Sequence, residues 1–210
     1  MADKITFKRY LKLYTVYAKM DFAWLMRDTG SAVLAIISDL VSNISAISGV
    51  FLLALRFGGI GGMDKYEVLL MLAYTSMITG VFQLFFSGNN TGHISRRIGR
   101  GQFEHMLIQP IPLRMQLLTE GFIPFSGSSN LITGIVIICI AISKLNITLT
   151  WWWVLSLIGN LIISMVIIIA LSYLSSAVTF YAPVQAEEIS SYVIDMTEQL
   201  STFPLSGMPK

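Results

Sequence analysis

WWWVLSLIGNLIISMVIIIALSYLSSAVTF, residues Trp151–Phe180, runs its whole length without an acidic or basic side chain. At about 1.5 Å per residue, a helix of this length is more than enough to cross the ~30 Å hydrocarbon core of a bilayer. Its opening tryptophans suit the boundary between lipid and water. Working outward, residues 32–55 (AVLAIISDLVSNISAISGVFLLAL) carry one charge, Asp39, and residues 68–87 (VLLMLAYTSMITGVFQLFFS) and 122–142 carry none. Four runs therefore read as membrane spans.

Composition agrees. The 210 residues are 54% hydrophobic and 12% charged, with a mean hydropathy of +0.70. That leaves too little polar surface to coat a water-soluble globule and excludes a soluble enzyme. The length allows one domain of roughly five or six spans. A net charge of only +2 argues against a nucleic-acid partner. The single cysteine, Cys139, lies in an apolar run and permits neither an internal disulfide nor a thiolate metal cage.

Basic residues set the expected orientation. Six precede the first span (Lys4, Lys8, Arg9, Lys12, Lys19, Arg27), two lie in the next loop (Arg56, Lys65), four in the next (Arg96, Arg97, Arg100, Arg114), and one, Lys144, in the last. This alternation puts the N-terminus and the long second loop in the cytoplasm of a multi-pass protein of the cell membrane. Residues 5–31 read as an interfacial elbow helix. Lys8, Lys12 and Lys19 form one ridge beside an apolar, tyrosine-rich face, an arrangement suited to lying among anionic headgroups, as Trp151 suits the opposite boundary.

Residues 186–203 read as a fifth span. Ile189, Val193, Met196, Leu200 and Phe203 make one apolar stripe, while Asp195 and Glu198 occupy other faces. A mid-membrane aspartate costs roughly 2.5 to 3.5 kcal/mol, so this helix either lies at the interface or spans with its acidic side turned to protein or water.

No soluble catalytic pattern is present. His93 and His105 form neither a metal cluster nor a triad, and the glycines of RRIGRGQ lack the spacing of a phosphate loop. No catalytic, cofactor-binding or metal-binding residue is expected. What the spans do carry is polar stripes: Asp39 and Asn43 in the first; Thr75, Thr79 and Gln83 in the second; Ser156, Asn160 and Ser164 in the fourth. Their cost in lipid turns them inward, either as interhelical glue or as a polar path.

Residues 88–117 are the sizeable polar connector. ISRRIGRGQFEHMLIQPIPLRM reads as a short amphipathic helix ended by Pro110 and Pro112, with Phe103, Met106 and Leu107 on one side. Here the chain resembles the type-two permease subunits of ATP-binding-cassette exporters, in which an Arg-Gly-x-acidic-x-x-Leu-x-x-Pro run follows the second span. Arg100, Gly101, Glu104, Leu107 and Pro110 match it, with one extra residue between the glycine and the acid. FGGIGGMDKYEVLLMLAY after the first span and FPLSGMP near the end agree as well.

The resemblance implies an all-α permease with an interfacial N-terminal helix and a cytoplasmic coupling helix between spans two and three. Residues 204–210 would begin an outer re-entrant turn, from which family members continue into a sixth span; here that span is either cut off after Lys210 or supplied by a partner. A separate ATPase subunit, holding ATP and Mg, would dock on the coupling helix. A second permease chain, the same or related, would complete the assembly in the lipid bilayer. This chain itself would bind no cofactor and perform no hydrolysis. The resemblance also turns Asp195 and Glu198 toward the protein interior. Two other readings of the residues are an ion-gradient-driven carrier or channel using the intramembrane carboxylates, and a regulatory membrane subunit with no path of its own.

Overall fold

A computed structural model describes residues 7–86, 94–145 and 147–201, without the side chains of residues 183, 184, 186, 187, 198, 200 and 201. The first residues of the elbow, residues 88–93 of the long loop and the proposed re-entrant turn at 204–210 lie outside the described residues. The fold is all-helical, with no strand among the described residues. In order come α1 (Phe7–Arg27), α2 (Thr29–Phe57), α3 (Lys65–Phe86), α4 (Ile94–Gly99), α5 (Phe103–Ile108), α6 (Leu113–Thr119), α7 (Ser129–Leu145), α8 (Trp151–Ser176), a 3-10 turn (Ala177–Phe180) and α9 (Pro183–Ser201). They form two compact units. One comprises Met1–Ala32, Phe82–Ser128 and Ile169–Val193; the other comprises Val33–Val81, Ser129–Ile168 and Ile194–Lys210.

Helix boundaries follow local chemistry. Asp28 starts α2: its Oδ1 accepts the Ser31 N–H at 3.2 Å, while its carbonyl accepts the Ala32 N–H. Hydrogen bonds from the Ser31 side chain, and then its backbone, hold the Asp28 carboxyl below the ordinary aspartate value. A depressed folded-state pKa means the cap's contribution is complete above the unfolded-state value and is lost as pH falls through the folded one. Asp28→Ala is therefore expected to lower the thermal midpoint at neutral pH, and the gap from the parent protein should close in acid. A gap independent of pH would remove the capping role.

Between α2 and α3 the FGGIGG segment turns tightly. Gly59 has φ +145° and sits so close to the Met63 carbonyl that a Cβ would lie 2.2 Å from its oxygen, so only glycine fits. The turn closes with reciprocal Ile60 and Met63 backbone hydrogen bonds of 3.1 Å. α3 then opens on a capping box, in which Glu67 Oε2 accepts the Asp64 N–H at 2.8 Å and Asp64 Oδ2 accepts the Tyr66 N–H.

In the second unit, α3 is the core. Its Val68, Leu69 and Leu72 pack with Ile47 and Ala54 of α2 and Ala141 of α7; its Ala73 and Met77 pack with Ile138 of α7. Of the apolar stretch of α3, 44% is buried, against 6% for α2 and α8, so the latter two present their apolar surfaces outward. α7 joins α3 by close backbone approach, with Gly80 against Leu131 and Gly134 against Ala73 and Met77. Small residues permit this contact, as is usual for helices packing in lipid.

Among the described residues three helices are long and apolar enough to cross a membrane: Thr29–Phe57, Lys65–Phe86 and Trp151–Phe180. The expected run at 122–142 becomes helical only at Ser129. Pro124 has no N–H to give, and the N–H groups of Phe125 and Ser126 are taken by Asp21. The remaining 17-residue α7 is about 26 Å long, slightly short of a typical hydrocarbon core. α9 also departs from expectation. Among its described side chains Ser190 and Ile194 are buried, while Ile189, Met196 and Asp195 are exposed. Within the first unit, the buried hydroxyl of Ser190 meets Ser175 at 3.3 Å and Ser176 at 3.5 Å, a small-residue contact that the apolar stripe did not foretell.

Candidate functional site

The segment from 94 to 120 is three short helices rather than one. α4 ends on Gly101 at φ +67°, where the Gln102 N–H bonds the Arg97 carbonyl and the Gly101 N–H bonds that of Ile98. This pairing is a Schellman cap, and it requires the left-handed glycine. The glycine of the matching motif therefore has a structural reason to be there. α5 follows and stops at Gln109, which is extended ahead of Pro110.

α5 is held from one side. Met106 is buried against Ile94 and Leu117, with Ile98, Phe103 and Leu113 around it. The Phe103 ring meets Phe180 edge-on at 6.3 Å. The Gln116 amide, itself buried, donates to the carbonyls of Met106 (3.3 Å) and Ile111 (3.0 Å), tying the end of α5 to the proline turn. The outer side carries Glu104, His105, Leu107 and Ile108, with Leu107 57% and Ile108 79% exposed. Leu107 thus faces away from Phe103 and Met106, correcting the expectation that the three share a side. Arg100, Gly101 and Pro110 are exposed as well.

α1 braces this segment within the same unit. Tyr14 donates its hydroxyl to the Leu118 carbonyl at 2.8 Å and sets its ring edge-on to Phe122 at 5.0 Å. Burial raises the Tyr14 pKa, with a further contribution from Tyr10. Tyr17 is raised first by burial and then by Glu120, against the opposing charge of Arg97. Arg97 and Glu120 form an ion pair. Asp21, only 6% exposed, accepts hydrogen bonds from the Phe125 N–H (2.8 Å), the Ser126 N–H (3.2 Å) and the Ser126 hydroxyl (2.5 Å). Sequence reasoning missed it, although it is the single acid in a helix with five cations. Lys8, Lys12 and Lys19 are exposed.

The polar stripes are brought together only in part. Asn43 donates to the Ser76 hydroxyl at 2.9 Å, which donates to the Asn130 carbonyl at 2.9 Å, linking α2, α3 and α7. Tyr74 meets Ser164 at 3.0 Å. Ser76 and Tyr74 flank Thr75 of the expected stripe, and each reaches a partner helix. Thr75 bonds back to the Met71 carbonyl, and Thr79 and Gln83 are half-buried. Asp39, Asn160 and Asp195 are exposed on this chain, which corrects the inward placement of Asp195; the Glu198 side chain lies outside the described residues. Trp151 opens α8 at 72% exposure. Among the described residues no group of three His, Cys, Asp or Glu side chains could hold a metal.

Long apolar helices with outward apolar surfaces and internally paired polar groups define a multi-pass membrane protein of the helical class. The chain belongs to the ABC-2 transporters: the family model described as ABC-2 family transporter protein matches residues 40–210. No curated protein and no solved structure matches it. The family gives the chain a permease-type transport role, and its members are normally non-catalytic, with the ATPase in a partner. The match begins within α2 and does not include α1.

Proposed function

We propose that this chain is the membrane subunit of an exporter for amphipathic compounds, coupled to a separate ATPase subunit through α5. The observation that carries the reading is the exposed Glu104, Leu107 and Ile108 face on a helix whose other side is packed and hydrogen-bonded. Exposed leucine and isoleucine on a rigid support are suited to a partner's pocket, where desolvated anchors dominate affinity. Arg100, Gly101 and Pro110 shape the two ends of this surface. ATP and Mg would sit on the partner, and their use would rock the spans between inward-open and outward-open states.

In this reading the N-terminus and the 94–120 segment are cytoplasmic, the membrane is the cell membrane, and four spans plus α9 cross it. A second permease chain covers part of the outward surfaces of α2 and α8. Asp39 supports that pairing, since a carboxylate in an apolar helix is too costly to leave against lipid. Asp39 and Asn160 on those outward surfaces, with the half-buried Asn43 and Thr79 beside them, form the intramembrane polar path.

The chain is expected to copurify in mild detergent with its ATPase. Leu107→Asp should weaken that association by about 30-fold, the loss of roughly 2 kcal/mol typical of an interface anchor. Glu104→Ala should lower export-linked ATP hydrolysis without altering the thermal midpoint. Normal export by both variants would remove α5 as the coupling element.

A further inference from the structure

Beside the proline turn, α1 and α6 enclose a cleft of about 180 Å³. Arg9 and Lys12 stand on its rim, and Leu13, Val16, Ile111 and Met115 contribute apolar wall. The two cations are three residues apart on α1 and so share a face. No carboxylate lines the cleft. Its volume equals about six water molecules, enough for a phosphodiester and its first methylenes but too small for acyl chains.

We infer that this cleft holds the phosphodiester headgroup of an anionic phospholipid of the cytoplasmic leaflet. The inference rests on the reading of α1 as an interfacial helix on that side. Charge complementarity selects the ligand: two cationic side chains at one mouth, with an apolar wall behind them, match a phosphate joined to methylenes. The apolar wall suits the methylenes next to the phosphate, while the chains stay in the bilayer beside the exposed Phe7 and Leu11 of α1. A soluble anion would leave that wall unused. Because Pro110, Ile111 and Pro112 form the far side, an occupied cleft ties the end of α5 to α1. Lipid composition would then set how firmly the coupling surface is held.

The test is lipid retention by the full chain, purified in mild detergent and read by native mass spectrometry. Phosphatidylglycerol and phosphatidylcholine of identical chains are offered in turn, and inorganic phosphate is added as a competitor. One phosphatidylglycerol should be retained in preference to phosphatidylcholine and should resist millimolar phosphate. Arg9→Gln with Lys12→Gln should weaken retention by about 25-fold, taking roughly fivefold per cation near an anionic surface. Arg27→Gln with Lys144→Gln removes the same charge outside the cleft and outside the lysine ridge of α1, and should leave retention intact. Val16→Trp, which fills the cleft and keeps both cations, should abolish it, so the inference stands or falls even where the double glutamine variant does not fold.

Equal loss in both double variants, equal retention of the two lipids, or displacement by phosphate would each overturn the lipid site. Retention requires neither an ATPase nor a sided membrane. A failed coupling test at Leu107 with intact retention would count against α5 alone, and the converse against the cleft alone.

Discussion

Gly80→Ala is expected to destroy the folded protein, although alanine adds one methyl group. A Cβ at Gly80 would lie 2.2 Å from the Leu131 nitrogen and 2.5 Å from its Cα, so the atoms that must yield are backbone atoms of α7. Gly134 faces the same seam from the other helix, with a Cβ 2.7 Å from the Met77 nitrogen and 3.0 Å from the Ala73 carbonyl oxygen. Overpacking of side chains usually costs about 1–3 kcal/mol, and a clash with backbone on both sides of one seam belongs at or above the top of that range. Separating α3 from α7 also pulls Ser76 from the Asn130 carbonyl and opens the Ala73, Met77 and Ile138 cluster. Gly49→Ala and Gly159→Ala are the matched controls. Both positions lie inside helices and have nothing within 4 Å of a Cβ. Alanine there should be neutral or stabilise by about 0.5–1 kcal/mol. Monodisperse yield and the thermal midpoint in detergent decide the matter. A Gly80→Ala protein as stable as the Gly49→Ala protein would mean that α3 and α7 do not meet at this seam.

Hydropathy located the long apolar helices because each needs only its own residues to be recognised. The absence of charge from 151 to 180 and from 68 to 87 was enough to place α8 and most of α3. It could not find where α7 begins, since Phe122 to Ser128 is as free of charge as residues 129–142 that follow. That boundary depends on Pro124 and on Asp21, a carboxylate about a hundred residues earlier. The same limit explains the coupling segment. Periodicity put Phe103, Met106 and Leu107 on one side of a single helix, but the left-handed cap at Gly101 and the support of Gln116 leave a six-residue α5 with Met106 in and Leu107 out. Among the intramembrane polar groups, the stripes marked the right helices and included Asn43 and Ser164, but their partners on α3, Ser76 and Tyr74, lay outside the expected stripe. A period shows which residues share a face and carries no information on which partner comes close.

Asp21→Ala should be the most damaging change on α1. Its carboxylate satisfies two backbone N–H groups and one hydroxyl where Phe122 to Ser128 turns toward α7. Alanine leaves two partly buried amides without acceptors, at about 1–3 kcal/mol each, so a loss of roughly 3–5 kcal/mol is expected. Asparagine separates geometry from charge. Its carbonyl oxygen can take both amides, while its NH2 donates to Ser126 Oγ, whose own O–H turns away. All three contacts survive as neutral hydrogen bonds, and the loss should fall to about 1–2 kcal/mol. Ser126→Ala removes one contact and should resemble asparagine. Thermal unfolding in detergent gives the order, and trypsin cleavage after Lys19 gives the location, because a released α1 exposes that bond. If alanine and asparagine cost the same, Asp21 acts through its charge alone. If neither moves the midpoint or the cleavage rate, α1 is not anchored by this residue, and its bracing of the coupling segment must rest on Tyr14 and the Arg97–Glu120 pair next to Tyr17.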